Sequence, residues 1–252
     1  MKQAIYDRLS VEIYENRTRM GQAAARDIRD KMLELLAQKD SINMIFAAAP
    51  SQNDVLAALT ADPSIPWNRV NAFHMDEYVN LPADAPQGFA NFLHRSLFDK
   101  VQFGSVNCLN SEVSDPQAEC DRYAALLSTN PTDIVVLGIG ENGHIAFNDP
   151  WVADFNDPQA VKIVPLDDVC RQQQVNDGCF DTIDAVPTHA MTLTVPTLTN
   201  APNLFCIVPG PTKAKAVRQT LLGPVSPDCP ASILRQHDSA ILYLDEESGA
   251  LL

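Results

Sequence analysis

The chain has 252 residues, 46% of them hydrophobic, which is enough for a large folded domain with a full core and too apolar for a disordered segment. With 18 Lys and Arg against 32 Asp and Glu the net charge is −14, which argues against nucleic acid or an anionic membrane as the partner. A small anion is still compatible, because one lysine and a few backbone N–H groups can bind phosphate inside an acidic protein.

The N-terminal stretch MKQAIYDRLSVEIYENRTRM has neither the apolar core nor the small-residue cleavage pattern of a signal peptide. No later run is long enough to span a bilayer, so a cytoplasmic location is expected. From Arg17 to Gln38, the residues Met20, Ala24, Ile28, Met32 and Leu35 recur at helical spacing while Arg26, Arg29, Asp30 and Lys31 turn to water, which predicts a scaffold helix. Ile42 to Ala47 reads as a buried strand that passes through AAAPSQ into a helix beginning near Ser51. Val70 to Phe73 is a second strand, running directly into HMDEYVNL. Gly88 to Val101 and Pro116 to Ser128 are amphipathic helices.

Ile134 to Leu137 is a buried strand that opens into a loop with Gly138, Gly140 and Gly143, where the backbone can turn tightly and approach a ligand closely. That loop carries His144, followed by Asn148 and Asp149. Val161 to Val164 and Met191 to Val195 predict further strands, the second from its alternating Thr192 and Thr194. Leu204 to Val208 is again a buried strand, and PGPTKAKA leads from it into a helix opening near Thr212 or Lys213; Ala240 to Leu244 is the last strand. Strands and helices alternating across short loops predict a doubly wound α/β architecture, a mostly parallel sheet sandwiched by helices, as one domain over residues 1–252. Six cysteines, Cys108, Cys120, Cys170, Cys179, Cys206 and Cys229, lack the paired spacing of a zinc site or a redox pair and are expected to be free, structural thiols.

Three strand ends present useful chemistry: Asp76 after one, His144 after another and Lys213 after a third. A parallel sheet brings such ends to one edge, where open α/β sheets bind their ligands. Taken singly, Asp76 and Glu77 fit a solvated acidic turn, Lys213 an exposed helix lysine, and Asp149 a turn former before Pro150. Their convergence favours a site.

FHMDEY, GIGENGHIAFNDP and PGPTKAKA occur together and in this order, and with them the chain resembles the glucosamine-6-phosphate deaminase (isomerase) family, relatives of the 6-phosphogluconolactonases. The resemblance extends from VEIYENRTRMGQAAA through VPTHAMTLTVPTL to the closing strand. It implies a doubly wound α/β sandwich, with no cofactor and no metal, that opens the ring of a hexosamine 6-phosphate of glucosamine or galactosamine type, isomerises aldose to ketose and releases ammonia, under the hydrolase heading. It implies Asp76 as the carboxylate that moves a proton between the first two sugar carbons. His144 would assist ring opening, with Asp149 as its acidic partner, and Asn142 holds a loop position that members fill with Asp or Asn. Lys213 matches a phosphate-binding lysine. Ala48, Ala49, Ser51 and Gln52 form the phosphate-binding turn, with Gly140 and Gly143 in the ligand loop. Members are often oligomers, so a homo-oligomer acting on a small sugar phosphate is expected, with neither nucleic acid nor membrane as partner.

Several positions depart from the deaminase pattern. Asp149 stands where glutamate is usual, one methylene shorter, so its contact with His144 is expected to run through water or to need a shifted loop. AAAPSQ lacks the usual glycine and a hydroxyl. Around CRQQQVNDGCF an arginine is missing ahead of the aromatic pair, for which Arg171 is a candidate replacement; Gln172, Gln173, Gln174 and Asn176 are candidates to line a reshaped sugar pocket. Two alternatives stand beside the deaminase: a 6-phosphogluconolactonase-type hydrolase, which needs water activation by histidine but no carbon base, and a noncatalytic sugar-phosphate sensor.

Overall fold

The computed structural model describes residues 1–176 and 178–252. The strands are β1 (Lys2–Tyr6), β2 (Leu9–Tyr14), β3 (Ile42–Phe46), β4 (Val70–His74), β5 (Asp76–Tyr78), β6 (Ser105–Asn107), β7 (Ile134–Leu137), β8 (Val161–Pro165), β9 (His189–Leu193), β10 (Asn203–Val208) and β11 (Ala240–Asp245). The helices are α1 (Arg17–Leu36), α2 (Asn53–Thr60), α3 (Phe89–Leu93), α4 (Pro116–Thr129), α5 (Asp168–Asn176), α6 (Val195–Thr199) and α7 (Ala214–Leu222).

Eight strands form the main sheet in the order β1-β2-β11-β10-β7-β3-β4-β6. All neighbours are parallel except the edge pair β1 and β2. The expected doubly wound architecture is therefore present, with an antiparallel hairpin added at its N-terminal edge. β1 carries no apolar pattern of its own, and its extended state comes from pairing with β2, Lys2 opposite Ile13 through Tyr6 opposite Leu9.

The strand side chains divide between two cores, as period-two alternation requires. Ile42, Met44 and Phe46 of β3 join Ile134 and Val136 of β7 in the core covered by α1 and α2. Ile45, Val135 and Leu137 join the opposite core, which includes Cys120 and Tyr123 of α4 and Val217 and Leu221 of α7.

The prediction of a single sheet needs correction. Val161–Pro165 and His189–Leu193 belong to a second, antiparallel sheet of order β5-β9-β8. The HMDEY segment belongs to it too, because the chain crosses from the main sheet at His74 and begins a new strand at Asp76. Local alternation identifies a strand but does not say which sheet its edge meets. The helix predicted from Gly88 also differs: α3 gives way at His94–Phe98 to a wider turn, in which Asp99 N–H donates to the His94 carbonyl at 3.1 Å.

Helices α1 and α2 approach closely at Gly21, where an added Cβ would lie 2.6 Å from Asp54 Cβ and 3.0 Å from the α2 backbone. Gly21→Ala gains about 1 kcal/mol of helix propensity, but forcing the helices apart costs about 1–3 kcal/mol. Urea unfolding should show a net loss of stability. A variant as stable as the parent would mean that the helix pair yields freely.

Candidate active site

The carboxyl ends of β3, β4, β7 and β10 open into one cavity of about 660 Å³. Asp76 enters it from the crossing between the sheets, pinned by its pairing opposite Thr192 and by Leu193 N–H donating to the Met75 carbonyl at 2.8 Å. Only 7% of the residue is exposed. Among the described residues nothing donates a hydrogen bond to its carboxylate, and burial, with the adjacent Glu77 charge, pushes it well above the usual carboxylate range.

Glu77 is placed differently. Its carboxylate accepts from the N–H groups of Tyr78 (2.9 Å), Phe89 (3.1 Å) and Ala90 (2.9 Å), so it caps the start of α3. Burial raises it, while those three donors hold it down. Neither residue forms the solvated acidic turn that a local view of the motif would allow.

The loop after β7 orients His144. Asn142 Oδ1 accepts from His144 N–H at 3.0 Å and lies 2.8 Å from His144 Nδ1, and Asn142 Nδ2 donates to Asp149 Oδ1 at 2.8 Å. Asp149 Oδ1 is itself 3.1 Å from His144 Nδ1. Of the two expectations, a water bridge or a shifted loop, the water bridge is not met: the shorter aspartate reaches the ring directly, in a loop closed by Gly140 N–H donating to the His144 carbonyl at 2.9 Å. Both neighbours of Nδ1 are acceptors, which assigns it the proton and leaves Nε2 as the acceptor in the neutral ring. Burial alone would raise Asp149, but the hydrogen bonds and charge of His144, with the Asn142 amide, bring its carboxyl below its ordinary value. Asn142 and Asp149 sit behind His144, which itself lines the cavity.

Asp149 Oδ2 is buried without a hydrogen-bond partner among the described residues. The ligating atoms of His144, Asp149 and Cys170 lie within 4.8 Å of one another, a donor set of the kind a zinc-like cation uses. Burial holds the Cys170 thiol far above its usual range, so the sulfur offered there is a neutral S–H.

Ala48, Ala49, Ser51, Gln52, Gly140 and Lys213 all line the cavity. Gln52 Nε2 donates to Ser51 Oγ at 3.1 Å and to the Ile207 carbonyl at 3.2 Å, tying the turn after β3 to β10. Asp245 at the end of β11 accepts from Gly210 N–H at 3.1 and 3.0 Å and so holds the turn that carries Lys213. Gly143 serves the loop instead of the ligand, with φ of +89° and no room for a Cβ against Cys229.

Arg171 is also corrected. It lies outside the cavity lining, its guanidinium donating to the carbonyls of Ile183 (2.7 Å) and Val186 (3.2 Å). Gln173 and Gln174 line the cavity, whereas Gln172 and Asn176 bond to each other on the exposed side of α5. Sequence reasoning missed Arg17, Gln87, Phe92 and Arg95 as lining residues. Phe92 was legible only as an apolar helix position, and no local pattern marked the others.

A family model described as glucosamine-6-phosphate isomerases/6-phosphogluconolactonase matches residues 15–243. The chain belongs to this family. Among relatives, the glucosamine-6-phosphate deaminase of Listeria innocua is 35% identical over 88% of this chain and 94% of its own. That of Bacillus cereus is 34% identical over 86% of this chain and 81% of its own. Among solved structures, a monomeric glucosamine-6-phosphate deaminase superposes with a TM-score of 0.87 at 28% identity, covering 96% of this chain and 99% of that one. The 6-phosphogluconolactonase of Thermotoga maritima gives 0.77 at 21% identity, covering 94% and 99%, and shows the shared fold.

Within this family member the His144 ring lies directly against Gly140, where an added Cβ would come within 2.1–2.3 Å of three imidazole atoms. Gly140→Ala should therefore leave the fold intact by circular dichroism while displacing His144. We expect turnover to fall at least about a hundredfold, the scale of losing a positioned acid–base group. Unchanged kinetics would show that the ring position is not critical.

Proposed function

We propose that this protein is a hexosamine-6-phosphate deaminase, converting the amino sugar phosphate and water to a ketohexose 6-phosphate and ammonia. The observation that carries this reading is the Asp76 carboxylate, buried on the cavity wall without a hydrogen-bond donor of its own among the described residues. Moving a proton between carbons needs a base held against them, and a poorly solvated carboxylate of raised pKa suits both taking and returning it. A hydrolase of a lactone has no step for this group, and a sensor has no reason to bury it. The names of the relatives support the same substrate class.

In this mechanism His144, oriented by Asn142 and Asp149, takes the proton of the anomeric hydroxyl at Nε2 and returns it to the ring oxygen, opening the ring. Asp76 then removes the proton from C2 and delivers it to C1, while a second proton passes from the amino nitrogen to O1, turning the open-chain 2-amino aldose into the C2 imine of the ketose. Water adds to the imine carbon and ammonia leaves, so the hydrolase heading covers only this last step; the carbon chemistry is an isomerisation. Lys213, Ser51 and the turn around Ala48 and Ala49 would hold the phosphate at a fixed distance from the reacting carbons. All of these groups come from one chain, so this chemistry asks nothing of a second subunit.

Purified protein incubated with the gluco and galacto epimers of hexosamine 6-phosphate should release ammonia and ketose phosphate in equal amounts from one of them. Ketose without ammonia from a nonaminated aldose phosphate would reduce the activity to plain isomerisation, and hydrolysis of 6-phosphogluconolactone alone would replace it.

Asp76→Asn should lower turnover by roughly a thousandfold while binding of a hexitol 6-phosphate survives. The same variant reports on pH. Because burial raises the folded carboxyl above its ordinary value, the protonated form stabilises the fold at low pH, and that contribution is lost as pH rises through the folded pKa. The asparagine variant escapes this loss, so its melting temperature relative to wild type should increase as pH is raised from about 4. A constant difference would show that Asp76 titrates normally.

A further inference from the structure

We propose that Arg17, at the start of α1, is a second cation of the phosphate end of the cavity and sets its preference for phosphorylated over free sugar. This inference rests on the sugar-phosphate substrate proposed above. A phosphate monoester carries between one and two negative charges at neutral pH, and Lys213 alone matches one of them.

The turn after β3 offers the N–H groups of Ala48, Ala49 and Ser51, which donate to no other group among the described residues, but it carries no charge, and its remaining N–H groups are already used. Ala47 N–H donates to the Val136 carbonyl at 2.9 Å, Gln52 N–H donates to the Ala49 carbonyl at 2.9 Å, and Pro50 has no N–H to give. Ser51 contributes its hydroxyl: Oγ accepts from Gln52 Nε2, which leaves the Ser51 proton available to a ligand. An anion held here needs positive charge from another element.

Arg17 lines the same cavity and is fixed beside that turn. Its Nε donates to Asp54 Oδ2 at 2.7 Å and its Nη2 to the Pro50 carbonyl at 3.1 Å, one residue before Ser51. The helix start beneath it is set by Asn16, whose side chain accepts from Arg19 N–H at 2.9 Å. Nη1 makes no hydrogen bond among the described residues, so the planar fork is anchored on one side and open on the other. The side chain is 47% exposed, which places the charge at the cavity mouth, where it pays little desolvation. Arg95, another lining cation, donates to the Pro86 carbonyl at 2.8 Å and stands on the wall with Gln87 and Phe92.

Calorimetric titration of the full chain with glucitol 6-phosphate, an unreactive open-chain analogue, tests this directly. Arg17→Ala should weaken binding about 30-fold, the scale of one charge-assisted hydrogen bond to an anion. Arg17→Lys, which keeps the charge and loses the fork, should fall in between. Asp54→Ala removes the same ion pair while leaving the cation, and should bind within about threefold of wild type. Adding salt should weaken wild type more than Arg17→Ala. Equal losses in Arg17→Ala and Asp54→Ala would reduce Arg17 to a support for the turn, and undiminished binding by Arg17→Ala would overturn the inference while leaving the substrate class standing. Failure of wild type to bind any hexitol 6-phosphate would instead remove the substrate class itself.

Discussion

The site depends on two residues of β9. Thr192 and Leu193 receive the Asp76 strand on one side, through the pairing of Asp76 opposite Thr192 and the bond from Leu193 N–H to the Met75 carbonyl. They receive the glycine loop on the other. Thr192 Oγ1 accepts from Phe147 N–H at 3.1 Å, and the Leu193 carbonyl accepts from Asn148 Nδ2 at 2.8 Å. Asp76, the proposed carbon base, and the histidine loop are thereby referenced to one stretch of backbone, buried and paired on both sides. Positioning of this kind lets a buried carboxylate work without donors of its own, since rigidity comes from the main chain.

Glu77, Asp149 and Asp76 show how environment assigns roles to similar side chains. Glu77 is saturated by three backbone N–H groups and is structural. Asp149 is lowered by its hydrogen bonds with His144 and Asn142 and remains a counter-charge. Asp76, with neither, is raised by burial and by its neighbour. Adjacent residues in one motif thus separate into a helix cap and a carboxylate raised by burial, the proposed base, and the separation lies in which face of β5 each side chain takes. The same logic covers the replacement of glutamate by Asp149: a side chain one methylene shorter is tolerated because the loop brings it to the ring.

Much of the main sheet was legible from residue pattern. Ile42 to Ala47, Val70 to Phe73, Ile134 to Leu137, Leu204 to Val208 and Ala240 to Leu244 are apolar runs, and each coincides within one residue at either end with a strand of the structure. Asp76, His144 and Lys213 were legible as a set because the carboxyl ends of parallel strands must share an edge. β1, the second sheet and the wide turn after α3 were not, since each depends on partners distant in sequence. Arg171 misled for a related reason: a charged residue beside a substrate segment suggests a ligand contact, yet its guanidinium is spent on the Ile183 and Val186 carbonyls.

By itself, then, the sequence determined the order of strands and helices, the glycine turns and the identity of the residues at three strand ends, because periodicity and backbone freedom act over a few neighbours. Tertiary structure alone decided which of those residues face the cavity, which carboxylate is starved of donors, and that Arg17 stands beside Ser51. That last proximity requires α1 to pack on α2 through Gly21, a contact between segments more than thirty residues apart. Such contacts are set by the joint burial of two helix faces, and no local pattern carries that information.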